Sequence, residues 1–233
     1  MKQKQLVELP YRKKEDNIVQ DLPRRKFFAQ AAGLASIAVI AAACDKDDNN
    51  NSTTGVDLGS GDIGILNYAY ALEQLEAAFY TQVVATPYSG ITAVELSFMT
   101  DIRNHEIAHR EFLKAALGSM AIQELEVDFS TITFTSRDSV LGTAKAFEDL
   151  GVTAYDGAGY LIEDANYLLL AGKIVSVEAR HAALIRELIA ANTFLGDQVD
   201  SNSVNIARTP DEVLSIAGPY IKTKINASNL PKG

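Results

Sequence analysis

His105-Glu106-Ile107-Ala108-His109 admits two readings that lead to different folds. Taken whole, H-E-x-x-H sets two imidazoles on one face of a helix with the glutamate as general base, the arrangement of a zinc-dependent protease. Taken from its second residue, Glu106-x-x-His109 is half of a dinuclear carboxylate site, in which two helices each supply a Glu and a His three apart and two others each supply one Glu. The first reading requires a third zinc ligand downstream, and the second requires three more helices with ligands at matching places.

The chain holds only three histidines, and one of the other two follows a glutamate at the same spacing: Glu178-Ala179-Arg180-His181. Residues three apart on a helix differ by about 60° in direction and about 4.5 Å in height, so such a Glu and His converge on one ion. The repetition goes further. Glu73-x6-Tyr80 and Glu148-x6-Tyr155 match at an offset of 75 residues, and the two E-x-x-H segments match at an offset of 72. Two similar segments therefore each carry Glu…Tyr and then Glu-x-x-His. The offset also selects Glu73 over Glu76, whose counterpart is Gly151.

Each of these residues sits on a helical stripe. A first helix over 61–85 aligns Leu66, Ala69, Glu73, Glu76, Tyr80 and Val83 and ends at Pro87 and Gly90. A capping box, Thr92-x-x-Glu95, opens a second, with Ile102, Glu106, His109, Leu113 and Ala116 aligned before Gly118. A third runs from Arg137 to Ala158 with Leu141, Ala144, Glu148, Gly151, Tyr155 and Ala158 on one side. The fourth, Asp164 to Asn192, aligns Ala171, Ile174, Glu178, His181, Ile185 and Leu188. Between the second and third, Phe129, Ile132 and Phe134 alternate with polar residues, as in an extended strap lying across an apolar surface. The predicted fold is all-α: a four-helix bundle over 61–195, made of two helical hairpins and one long crossover, the ferritin-like arrangement. Thr209-Pro210-Asp211-Glu212 predicts a short further helix within a C-terminal extension, 196–233.

A carboxylate taken unpaired into an apolar interior costs several kcal/mol, so four core stripes that each bear one imply a shared counter-charge. Two metal cations supply it. The zinc reading leaves Glu148, Glu178 and His181 unused, and its usual extension would need Gly and His where the chain has Phe112 and Ala115; Glu124 or Glu126 would have to serve instead. A third possibility is a metal-free bundle in which the acids and imidazoles pair with one another or with Arg103 and Arg180. Tyr80 and Tyr155 are expected as core aromatics whose hydroxyls find a hydrogen-bond partner. His105 is expected to stand beside the site without belonging to it.

The N-terminus predicts a different fate for residues 1–43. Arg24-Arg25 precede an apolar run, 29–43, of about 15 residues, too short to span a bilayer core of about 30 Å as a helix. Together they form a signal peptide of twin-arginine appearance. It ends in Ala41-Ala42-Ala43-Cys44, similar to a bacterial lipobox, so Cys44, the only cysteine, is the expected lipidation site and membrane anchor; an ordinary cleavage site is the alternative. Residues 44–60 are polar and aperiodic, as in a flexible tether. Of the 21 Lys/Arg and 30 Asp/Glu, residues 1–43 hold eight and four, which leaves 13 against 26 on the exported part. That balance excludes electrostatic binding of nucleic acid.

Several phrases resemble the ferritin-like superfamily, and within it an exported branch related to desiccation-associated and manganese-catalase-like proteins. They are Leu66-Asn67-Tyr68-Ala69, Glu73 through Tyr80, His105 through Leu113, Gly151 through Ala158, and Glu178 through Ala183. The resemblance implies Glu73, Glu106, His109, Glu148, Glu178 and His181 as ligands of two Fe or Mn ions, with Glu106 and Glu178 bridging. A carboxylate-rich donor set with two imidazoles and no sulfur suits Fe or Mn, so the expected chemistry is catalase- or ferroxidase-like with peroxide, dioxygen or ferrous ion as substrate, and the N-terminal signals place it in the cell envelope. A non-catalytic metal-binding or structural stress protein is the alternative, and a homodimer is compatible with either.

Overall fold

The computed structural model describes residues 55–232. The expected signal peptide, the lipidation site Cys44 and tether residues 44–54 lie outside the described residues. Four long helices form where the stripes place them: α1 Gly61–Ala85, α2 Ala93–Leu117, α3 Arg137–Ala158 and α4 Ala165–Ile189. A short α5, Pro210–Ala217, follows. The expected capping boxes are present at Thr92/Glu95 and Thr209/Glu212, each satisfying backbone N–H groups that the first helical turn leaves free. Asp164 caps α4, so that helix begins one residue later than its stripe. Among the described residues no helix is long and apolar enough to cross a membrane.

The helices pair as α1 with α2 and α3 with α4, and the two hairpins meet where α1 packs on α3. α1 is the central rod. Its residues from Gly64 to Ala77 are buried all the way round, as a helix covered on every side must be. Two of its buried polar residues hold the crossover in place. Asn67 Nδ2 donates to the carbonyls of Leu58 (3.0 Å) and Met120 (2.9 Å), while its Oδ1 accepts from the amide of Ile122 (2.9 Å). Gln74 Oε1 accepts from the amide of Leu125 (2.8 Å). Beyond them the crossover is the extended strap its alternation predicts: Phe129 and Phe134 lie against Phe79 of α1, ring centroids 6.0 and 5.9 Å away, and Ile132 is buried.

Salt bridges tie the hairpins internally and to each other. Arg186 of α4 grips Asp149 of α3 through two bonds of 2.8 and 2.6 Å, both residues buried. Arg137 of α3 reaches Glu95 of α2 (2.7 Å) and the carbonyl of Leu188 near the end of α4 (2.7 Å).

One expectation changes, and one segment gains a place. The tether does not continue to residue 60: Val56–Asp57 forms a strand, β1, parallel to β2 at Ile225–Asn226, and Leu58 is fully buried in the core. Leu58 offers the apolar side chain that anchors this turn, worth about 1.5–3 kcal/mol on burial. The C-terminal extension is likewise part of the same packing. It binds the crossover through Asp128 N to Tyr220 O (2.8 Å) and Lys222 N to Glu126 O (2.8 Å), and Tyr220 meets Phe147 edge-on at 4.8 Å. The backbone of Arg208 runs so close to Gly157 on α3 that any Cβ there would collide with it.

Candidate metal centre

All six expected ligands converge between the four helices, each near the middle of its rod. Glu73, Glu106, Glu148 and Glu178 are at most 1% exposed, and His181 is 4% exposed. They form two groups that share members: Glu73, Glu106, Glu178 and His109 in one, Glu106, Glu148, Glu178 and His181 in the other, with candidate ligand atoms within 4.8 Å of one another in each. Glu106 and Glu178 belong to both, the placement that the expected bridging role would need. Each offers one oxygen to each group. His109 Nδ1 lies 3.5 Å from Glu106 Oε2 and 2.9 Å from Glu178 Oε1, while His181 Nδ1 lies 2.9 Å from Glu106 Oε1 and 3.9 Å from Glu178 Oε2. The singly used glutamates complete the groups, Glu73 Oε2 3.5 Å from His109 Nδ1 and Glu148 Oε2 3.4 Å from His181 Nδ1.

The hydrogen bonding of these atoms tests whether ions fit. Eight buried atoms of the six side chains have no hydrogen-bond partner: Glu73 Oε2, both oxygens of Glu106, both of Glu178, Glu148 Oε2, and Nδ1 of His109 and of His181. Buried polar atoms are almost always paired, so eight orphans in one place require an explanation. The Nδ1–O separations run from 2.9 to 3.9 Å, so the imidazoles and carboxylates stand as close ion-pairing neighbours gathered around common points. The orphans divide four and four between the two groups. Four carboxylates also balance two divalent cations in formal charge.

The two remaining oxygens are accounted for by the tyrosines. Tyr80 donates to Glu148 Oε1 and Tyr155 donates to Glu73 Oε1, each at 2.5 Å. The exchange is reciprocal: the tyrosine of each hairpin holds the glutamate of the other. Burial first, then the facing glutamate, pushes both phenols well above their ordinary range, so they stay O–H donors. Each leaves one oxygen of its glutamate turned inward.

Without ions the site carries its own counter-charge. Burial pulls His109 and His181 toward the neutral form, but the facing carboxylates outweigh it and raise both to about 12. Glu178, although burial opposes ionisation, is lowered to about 2 by the two imidazoles it faces. Glu148 is raised to about 7 and Glu106 well above the usual carboxylate range, chiefly by burial.

Two side chains near the site receive definite places. Glu76 is buried at 4% exposure, with no basic partner and no hydrogen bond among the described residues. Its Oε1 lies 3.2 Å from where a Cβ on Gly151 would stand, and Glu178 Oε2 lies 3.5 Å from the same point. Thus the glycine opposite Glu76 at the 75-residue offset is what leaves room for this fifth carboxylate. Burial and then Glu178 push Glu76 well above the ordinary carboxylate range. His105 is exposed and joins neither group, but it contacts His181, which the sequence did not disclose. The pairing of two neighbouring-helix imidazoles depends on inter-helix register, for which the sequence carries no signal.

The arginine partners and the further zinc ligands that other readings need lie elsewhere. Arg103 bonds Asn104 and Arg180 bonds Ser176, so neither neutralises the glutamates. Glu126 pairs with Lys222, and neither Glu124 nor Glu126 joins a candidate metal group, so among the described residues no third zinc ligand accompanies His105 and His109.

Comparison with family models matches residues 61–191 to the ferritin-like domain, and the chain belongs to that family. Comparison with curated proteins found no match.

Proposed function

Starting from a ferritin-like domain with a buried carboxylate and histidine centre, we propose that the protein binds two Fe or Mn ions there and reacts with peroxide or dioxygen in the cell envelope. The observation that carries the reading is the set of eight orphaned donor atoms, divided equally between two groups that share two glutamates. Six of the eight are carboxylate oxygens and two are imidazole nitrogens. With no sulfur among them, this hard donor set suits Fe or Mn. When bound, a pair of redox-active ions supplies two-electron chemistry toward peroxide or dioxygen.

The chain's own residues prepare for that chemistry. Glu106 and Glu178 link the two positions, and Glu73 and Glu148 close them at either side. Tyr80 and Tyr155 fix the outer oxygen of each closing glutamate. Leu72, Ile102, Phe147 and Ile185, all at most 4% exposed, come from the four long helices and help keep bulk water out. The twin-arginine motif at Arg24-Arg25 supports export of an already folded, metal-loaded chain, and Cys44 supports a lipid anchor in the envelope, on its periplasmic or outer side.

Turnover tests the reading. The purified full chain loaded with Mn should evolve oxygen from hydrogen peroxide, or loaded with Fe should oxidise ferrous ion, faster than the same quantity of free metal. Rates equal to free metal would overturn the catalytic part and leave a binding or protective protein.

A further inference from the structure

His105 stands outside both ligand groups, yet its Nδ1 lies 2.9 Å from Nε2 of His181, with the two rings within 9° of parallel. His181 turns its other nitrogen, Nδ1, toward Glu106, Glu148 and Glu178. A cation held at Nδ1 takes that lone pair, so the ring proton of a neutral His181 resides on Nε2. Nε2–H then donates to His105 Nδ1, which accepts. A metal-ligating histidine ordinarily gives this proton to a carboxylate, a carbonyl or water, and the partner fixes both tautomer and ring orientation. Here an imidazole from the neighbouring hairpin takes that part.

The arrangement is one-sided. His109, the equivalent ligand of the other group, has no protein hydrogen bond at Nε2 among the described residues. The sequence breaks its internal repeat at the same place: at the 72-residue offset that relates Glu106 to Glu178, the counterpart of His105 is Val177, which has no polar side-chain atom.

We propose that His105 is a positioning residue for His181, and through it sets the affinity of the ion position made by Glu106, Glu148, Glu178 and His181 while leaving the other position alone. The proposal rests on the dinuclear reading given above. Its test is a calorimetric titration of the metal-free full chain with Mn(II), comparing wild type, His105→Ala and His105→Asn. The asparagine Oδ1 can stand where the Nδ1 acceptor stood. The wild type should bind two ions per chain. His105→Ala should keep one ion at wild-type affinity and bind the second about 10- to 100-fold more weakly. His105→Asn should recover most of that loss. Because His105 is exposed, the folded state survives its substitution, which circular dichroism verifies. A wild type that binds two ions while His105→Ala titrates identically, weakens both ions together, or is not rescued by asparagine would overturn the proposal alone. A wild type that binds no Mn(II) would overturn the dinuclear reading and this inference with it.

Discussion

Loading the centre with metal should expel protons, and the number follows from the site. In the metal-free protein His109 and His181 are raised from 6.5 to about 12 by the carboxylates around them, despite burial. Both are therefore imidazolium at pH 7. Each presents Nδ1 to its group, and a nitrogen that binds an ion cannot keep its proton. Two ions thus displace two protons from the histidines. Glu148, raised to about 7 chiefly by burial, adds to that number when it becomes a ligand. Titration calorimetry at pH 7 in buffers of different ionisation enthalpy measures the quantity directly, because the slope of observed enthalpy against buffer enthalpy is the number of protons released. A slope of at least two per chain is expected. Each ion that displaces one proton should also bind about tenfold more tightly per unit rise in pH. A slope near zero, or affinity that is flat between pH 6 and 8, would refute the reasoning, since it would mean the ions do not bind at the imidazoles.

Other consequences are separable. The metal-free chain should lose stability as pH rises above neutrality: His109 and His181 have folded pKa values above the unfolded 6.5, so the stabilisation they give is complete below 6.5 and declines toward 12, and Glu106, Glu76 and Glu148, also raised, act in the same direction from about 4.5 upward. Glu178 acts oppositely but only between about 2 and 4.5, so thermal melts should place the metal-free optimum in mild acid; a melting temperature that climbs from pH 6.5 to 9 contradicts this. Tyr80→Phe and Tyr155→Phe each leave a buried carboxylate oxygen of Glu148 or Glu73 without its donor, a loss of about 1–3 kcal/mol in denaturant unfolding of the metal-free chain. Unchanged unfolding midpoints would show that the phenols hold nothing. Gly151→Ala should press on the carboxylate of Glu76 (3.2 Å), crowd it toward Glu178 and weaken metal binding, and Glu76→Ala in the same chain should relieve it; a double variant no better than Gly151→Ala would dissociate the glycine from Glu76.

Much of this arrangement is legible in the sequence because a metal centre in a bundle violates the rule that core stripes are apolar. Glu73, Glu106, Glu148 and Glu178 stand where Leu would pack, and the two E-x-x-H spacings and the repeated Glu…Tyr spacing place them in register. What the sequence does not convey is whatever depends on how helices face one another. The crossed bonds from Tyr80 to Glu148 and from Tyr155 to Glu73, and the contact of His105 with His181, are relations between hairpins, and nothing in the local pattern encodes them. The role of Glu76 is not legible in the sequence because it lies in the missing side chain opposite, at Gly151. The segment around Leu58 escaped for another reason: a two-residue strand and one buried leucine within a polar stretch are too short to show a period. The C-terminal extension escaped likewise, as its packing rests on backbone bonds to the crossover and on single contacts such as Phe147 with Tyr220.

The most direct measurement is anomalous diffraction from crystals of the Mn- or Fe-loaded protein, recorded at that metal's absorption edge. Two peaks are predicted between the four helices, one among Glu73, Glu106, Glu178 and His109 and the other among Glu106, Glu148, Glu178 and His181. No peak there, or a single ion bound by His105 and His109, would contradict the account.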